Sequence, residues 1–166
     1  MFKNFFDSLK FWKAGKQIEK LLEILEFNSE AVQSIVFAKQ ESRRLCYPHV
    51  GTEQLLLGLL MEEHGIASQV LRRAGVKLDP IKQAIEDYIG YGKDREEQIC
   101  FTPRTKRVIE IALKQAQKLK QREIGTEHLL LALLREGKGL GIQVLKDLGF
   151  DCQTLEQQLR NVIQQQ

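Results

Sequence analysis

From Val50 the chain reads VGTEQLLLGLL, and from Ile124 it reads IGTEHLLLALL. In both stretches a polar triplet gives way to leucine at nearly every position, as in Leu55, Leu56, Leu57, Leu59 and Leu60. A helix that is apolar on all sides has no solvated face, so each stretch predicts a buried central helix. Upstream, Val32, Ile35, Val36 and Ala38 fall at helical spacing and predict a helix from Ser29 to about Arg44. Its counterpart starts at Thr102-Pro103, an N-cap followed by proline at the first helical position. Downstream, a third helix runs from about Ile66 to Arg73 and ends at Gly75, suited to a left-handed C′ position, as is Gly149 in the second stretch. A fourth begins after Asp79-Pro80 and, in the second copy, near Asp151. Thr52 and Thr126 are predicted as N-caps of the central helices, with Glu53 and Glu127 in the first turn, where the helix dipole favours a carboxylate.

The two stretches belong to a longer repeat. Residues 50–89 align with 124–163 at one constant offset, without a gap, and 16 of the 40 pairs are identical. The register extends upstream through Ile35/Ile109, Ala38/Ala112 and Leu45/Leu119. This is a tandem duplication of a unit of about 70 residues, and the fold class expected is all-α, with two pseudo-symmetric four-helix repeats. The expected division is an N-terminal extension over 1–26 and a repeat domain over 27–166. Within that domain, 27–90 is repeat one, 91–100 a short polar linker and 101–166 repeat two.

Composition narrows the function. The net charge of +3 is small, and the basic residues are interspersed with acidic ones, which argues against a nucleic-acid partner. No apolar run approaches the length of a membrane-spanning helix, and Lys10, Lys13 and Lys16 interrupt any signal-peptide core. Cys46, Cys100 and Cys152 are odd in number and far apart, which favours free thiols in a reducing compartment, the cytoplasm or the soluble interior of an organelle. His49, His64 and His128 form no metal-binding motif, and no Cys–His spacing resembles a zinc site, so no metal is expected. The acidic residues are scattered over helix faces, and no catalytic residues are assigned. No phosphate-binding loop occurs, since Gly137-Lys138-Gly139 reads as a turn before a helix. The expectation is a non-enzyme without cofactor or nucleotide.

The repeated GTE-Q/H-LLL-G/A-LL, followed by GIASQVL or GLGIQVL and a glycine, resembles the N-terminal domain of the Clp AAA+ chaperones, the double Clp-N repeat. FTPRTKRVIEIALKQA followed by IGTEHLLLALLREGKGLGIQVLKDLG is most similar to the ClpC branch. The resemblance spans Phe27 to about Ile163. FNSEA stands where the family has F-T-x-x-A, and the first 26 residues depart from the family's short lead-in. With the chain stopping at Gln166, the resemblance implies a free-standing Clp-N protein of cyanobacterial or plastid type. It would be an accessory or adaptor that binds the Clp protease core, a ClpC-type chaperone or an adaptor. It further implies phosphoarginine-like or peptide binding at Thr52, Glu53, Thr126 and Glu127, carboxylates pairing a guanidinium and helix N–H groups facing a phosphate. Helix capping alone also accounts for these residues.

The extension is a second source of function. Phe2, Phe5, Phe6, Leu9 and Trp12 recur at helical spacing, and Ile18, Leu21, Leu22 and Leu25 continue after Gly15, with lysines between. Such an amphipathic helix packs on its own domain, docks on a protein partner, or makes peripheral contact with an anionic membrane. The last two options define an alternative function, a Clp-N-derived scaffold or assembly factor.

Overall fold

The computed structural model describes residues 26–93 and 99–165. The first half holds α1 (Ser29–Arg44), β1 (His49–Val50), α2 (Thr52–Met61), α3 (Ile66–Arg73) and α4 (Leu78–Ile89). The second holds β2 (Cys100–Phe101), α5 (Pro103–Lys118), α6 (Thr126–Glu136), α7 (Leu140–Asp147) and α8 (Cys152–Gln164). The starts Ser29 and Pro103, Thr52 and Thr126, and Ile66 and Leu140 are all separated by the offset at which the sequence repeats. The four-helix repeat read from the pattern is present twice. Phe2, Phe5, Phe6, Leu9 and Trp12, the residues expected from the sequence to dock on a partner or membrane, lie outside the described residues.

Local chemistry fixes most helix ends. The Asn28 side chain accepts from Ala31 N at 2.9 Å to cap α1, and Thr102 Oγ1 accepts from Thr105 N at 3.2 Å to cap α5. Gly75 and Gly149 close α3 and α7 with φ of +87° and +86°, as their positions predict. Two starts differ from expectation. α4 begins at Leu78, which places Pro80 inside the first turn, where its missing N–H leaves no helical bond unmade. α2 and α6 are capped by Gly51 and Gly125 rather than by threonine, and Thr52 and Thr126 are the first helical residues.

The central helices fill the core. Leu55, Leu56, Leu57, Leu59 and Leu60 are at most 1% exposed, and Leu129, Leu130, Leu131 and Leu133 at most 2%. Each such side chain contributes about 1.5–3 kcal/mol by leaving water. α1 lies across α2 so closely that a Cβ on Gly58 would sit 2.1 Å from the Ser34 carbonyl oxygen. That backbone contact explains why this one position in the leucine run carries no side chain.

The two halves interlock. Val50 of β1 pairs in parallel with Phe101 of β2, and Phe27 pairs with Ile124. Phe27 and Phe101 are equivalent positions of the repeat, as are Val50 and Ile124, so these are one contact made twice. Thr102 N donates to Val50 O at 3.0 Å and Asn28 N to Ile124 O at 3.1 Å. Each half thus leads into its first helix along the other half, and α2 packs on α7 as α6 packs on α3.

Candidate functional site

At the start of each central helix a Gly-Thr-Glu triplet splits into three roles. The threonine faces the other half. Thr52 Oγ1 accepts from Gly141 N at 3.3 Å, and Thr126 Oγ1 accepts from Ala67 N at 3.2 Å. Gly141 and Ala67 belong to the first turns of α7 and α3, so each threonine satisfies an orphan donor of a helix in the opposite repeat. Gly139 and Gly65 make room, since a Cβ there would lie 2.3 and 2.6 Å from the same hydroxyls. Thr52 and Thr126 are 2% and 1% exposed, so both hydroxyls act inside the protein.

The glutamates fold back over the glycines. A Cβ on Gly51 or Gly125 would meet the Glu53 or Glu127 carboxylate at 2.3 or 2.4 Å, so glycine at the N-cap admits the carboxylate. Burial raises the Glu53 pKa above its ordinary value, against hydrogen bonds from its own N–H, Thr52 and Gln54 that favour the charged form. Glu127 is also raised by burial, its own N–H opposing and the like charge of Glu30 adding to the rise. Each carboxylate therefore takes up the positive end of its own helix, and among the described residues neither is paired with a lysine or arginine.

The following residue reaches back to the N-cap. Gln54 Oε1 accepts from Gly51 N at 2.8 Å, and His128 Nδ1 accepts from Gly125 N at 2.9 Å. A histidine that accepts through Nδ1 carries its proton on Nε2, which here is buried without a partner among the described residues. Burial lowers the His128 pKa to about 4, so its 3.5 Å approach to Glu127 Oε1 is not an ion pair at neutral pH.

Glu127 opens onto a cleft of about 680 Å³ lined also by Glu26, Asn28, Gln121, Arg122 and Glu123. Of the four predicted binding residues, this cleft takes in Glu127 alone. Its other walls come from the chain entry before α1 and the turn after α5, an apposition created by the Phe27–Ile124 pairing and invisible in linear spacing. Asn28 was not singled out from the sequence as a site residue. Its place beside Glu127 follows from the same pairing, and its capping of α1 is seen only in the structure.

Sequence comparison matches residues 26–139 and 100–166 to the Clp repeat (R) N-terminal domain. The chain belongs to this family. A ClpA homolog ATP-binding subunit of the chloroplast Clp protease in Brassica napus is 44% identical over 82% of this chain. A Guillardia theta ClpA homolog is 45% identical over 80%. The chain spans 16% of the length of each, so their whole-protein activity does not transfer with the likeness. Among solved structures, the ClpD N-terminal domain of Arabidopsis thaliana matches with a TM-score of 0.71 at 24% identity, covering 83% of this chain and 97% of that one. A ClpV N-domain solved in complex with a VipB peptide matches with a TM-score of 0.65 at 22% identity, covering 84% and 88%. At these identities the structures establish the shared Clp-N fold.

Cys46, Cys100 and Cys152 are free thiols. Among the described residues no group of three His, Cys, Asp or Glu is placed to hold a metal ion, and no helix is long and apolar enough to cross a membrane.

Proposed function

We propose that this Clp-N chain is a non-catalytic accessory of a Clp protease system, in a plastid or a related cytoplasm, and that it binds the protease core, a ClpC-type chaperone or an adaptor. The observation that carries the reading is the pair of carboxylates at equivalent helix starts, Glu53 half-buried and Glu127 buried, without a basic partner among the described residues. A carboxylate with a raised pKa gains most from a cation that arrives with a partner, and a guanidinium satisfies both of its oxygens. An arginine side chain of a partner segment is therefore the preferred ligand. A phosphoarginine would have to displace the carboxylate from the helix end before its phosphate reached the N–H groups. Thr52 and Thr126 hold the site rather than touch the ligand.

Titration calorimetry with an arginine-containing peptide, its citrulline counterpart and its phosphoarginine counterpart tests the site. The arginine peptide should bind, and Glu127→Gln should weaken it at least tenfold. Equal binding of the citrulline peptide would overturn the guanidinium reading. Affinity capture from the native source with mass spectrometry tests the pathway, where recovery of Clp subunits is expected and their absence from repeated captures counts against it.

A further inference from the structure

The cleft beside Glu127 has a counterpart in repeat one, and the repeat names its residues. The same offset separates Glu26 from Cys100, Asn28 from Thr102 and Glu127 from Glu53. It also sets Gln121, Arg122 and Glu123 against Tyr47, Pro48 and His49. The frame is shared, because Phe27 pairs with Ile124 as Phe101 pairs with Val50. The chemistry is not. His49 and Cys100 are register partners in the parallel pair, and Glu26 and Glu123 hold those two positions in repeat two. Like charges at facing positions of an extended pair are unfavourable. Among the described residues the base set against them is Arg122, whose guanidinium lies 3.7 Å from Glu26 and is 84% exposed. With Glu127, the cleft gathers three carboxylates around one arginine.

Tyr47 and Gln121 differ as well. In repeat one the chain beyond α4 returns to cover the end of α1. Gly92 N donates to the Leu45 carbonyl at 2.8 Å, and the Tyr47 hydroxyl donates to the Ile89 carbonyl. Gln121, in the position of Tyr47, lines the cleft, and its buried Oε1 accepts no hydrogen bond among the described residues. A buried acceptor without a donor costs free energy until a donor reaches it. Repeat two therefore offers an orphaned amide oxygen, the buried Glu127 carboxylate and two exposed carboxylates in one cleft. Repeat one offers Glu53 as its one carboxylate at the equivalent positions, with the Tyr47 hydroxyl already engaged.

Resting on the guanidinium reading above, we propose that the chain takes one basic partner segment rather than two, and takes it in repeat two. The segment carries an arginine, whose guanidinium is shared between the Glu127 carboxylate and Gln121 Oε1, beside a second lysine or arginine held by Glu26 and Glu123. A guanidinium has five N–H donors, enough for both carboxylate oxygens and the amide oxygen together. The exposed carboxylates set the preference among arginine segments, since charges at the edge of an interface act on selectivity more than on strength. An acidic neighbour of the arginine is repelled at the same place.

Titration calorimetry on the full chain at low salt, with peptides that differ only in carrying Arg-Lys, Arg-Ala or Arg-Asp, tests this. The Arg-Lys peptide should bind one per chain and at least about threefold more tightly than Arg-Ala, with Arg-Asp weakest, and high salt should shrink these differences. In Glu26→Gln/Glu123→Gln the ratio between Arg-Lys and Arg-Ala should fall to about one, a change that a general loss of fold does not produce because it weakens both peptides alike. Gln121→Leu, which removes the acceptor and keeps the bulk, should weaken both peptides at least about threefold. Two peptides bound per chain, no preference for Arg-Lys in the wild type, a preference that survives in the double variant, or full affinity in Gln121→Leu would each overturn the proposal while the guanidinium reading stands. Failure of every arginine peptide to bind would overturn both.

Discussion

Gln54 and His128 occupy the same position in the two repeats and make the same bond, yet they leave the halves with different chemistry. Both accept the N–H of the capping glycine, at 2.8 and 2.9 Å. Gln54 does so as a neutral amide at every pH. His128 does so only while its Nδ1 is unprotonated, and protonation in its buried site is opposed. Neighbouring glutamates follow the same division, since Glu53 receives the Thr52 hydroxyl at 3.4 Å while Glu127 faces a cleft with two further carboxylates. Duplication kept the framework, and divergence at single positions made one half more sensitive to charge. The backbone contacts that tie the halves together are the same on both sides; the side chains that meet solvent are not.

The hardest way to break the equivalence is through the central helices. Leu56→Asp and Leu130→Asp each bury an unpaired charge at a fully enclosed site and should cost several kcal/mol, a large part of a typical total of about 5–15 kcal/mol. Both variants should unfold in a thermal melt followed by circular dichroism, and a normal melt for either would make that helix peripheral. The crossed threonines come next. Thr52→Val and Thr126→Val leave Gly141 N or Ala67 N without its acceptor and should each cost about 1–3 kcal/mol by urea titration. Because the bonds are equivalent, the two losses should agree, and a neutral result for one would show that its N–H has another partner.

Acid sharpens the difference. His128 has a folded pKa of about 4, below the ordinary 6.5, so the unfolded chain takes up the proton first. Stability from neutral His128 is full above about pH 6.5 and is lost as pH falls toward 4, by about 2 kcal/mol after allowing for partial screening. The raised carboxylates of Glu53 and Glu127 act in the opposite direction, gaining stability as pH falls through their folded pKa values. The informative quantity is therefore the difference between the wild type and His128→Gln, which gives repeat two the amide of repeat one. The variant should hold its stability between pH 6.5 and 4 where the wild type declines, measured by denaturant titration at each pH. Parallel curves would show that His128 is not the titrating group.

The smallest effect concerns the helix ends. Cys46 and Lys120 hold φ of +58° and +57° in conformations that glycine adopts without strain. Cys46→Gly and Lys120→Gly should each stabilise the fold by up to about 1 kcal/mol, less whatever the added freedom of the unfolded chain removes. Unequal gains in differential melts would report how much the cover over Leu45 already constrains its side.

Much of this architecture was legible before any coordinates. The leucine runs could only be buried helices, Thr102-Pro103 and Asp151 could only start helices, and Gly75 and Gly149 fitted left-handed ends. Those features depend on residues a few positions apart, where helix periodicity and capping act directly on the chain. The constant offset between matching positions also carried the repeat, because equivalent buried positions demand equivalent side chains. The meaning of Gly-Thr-Glu was only half legible. Helix capping accounted for threonine in the wrong way, since its hydroxyl is satisfied by a helix of the other repeat, and Gly65 and Gly139 are small for the threonine of the other repeat that packs against them. Nothing in linear spacing states that Phe27 lies against Ile124, or that Asn28, Gln121 and Glu127 share a cleft. Short-range pattern along the chain dictated which helices form and that they form twice. How the repeats cross was left to the folded molecule, because that choice rests on long-range pairing of short extended segments and on which polar groups are left to satisfy one another once the leucines have closed the core.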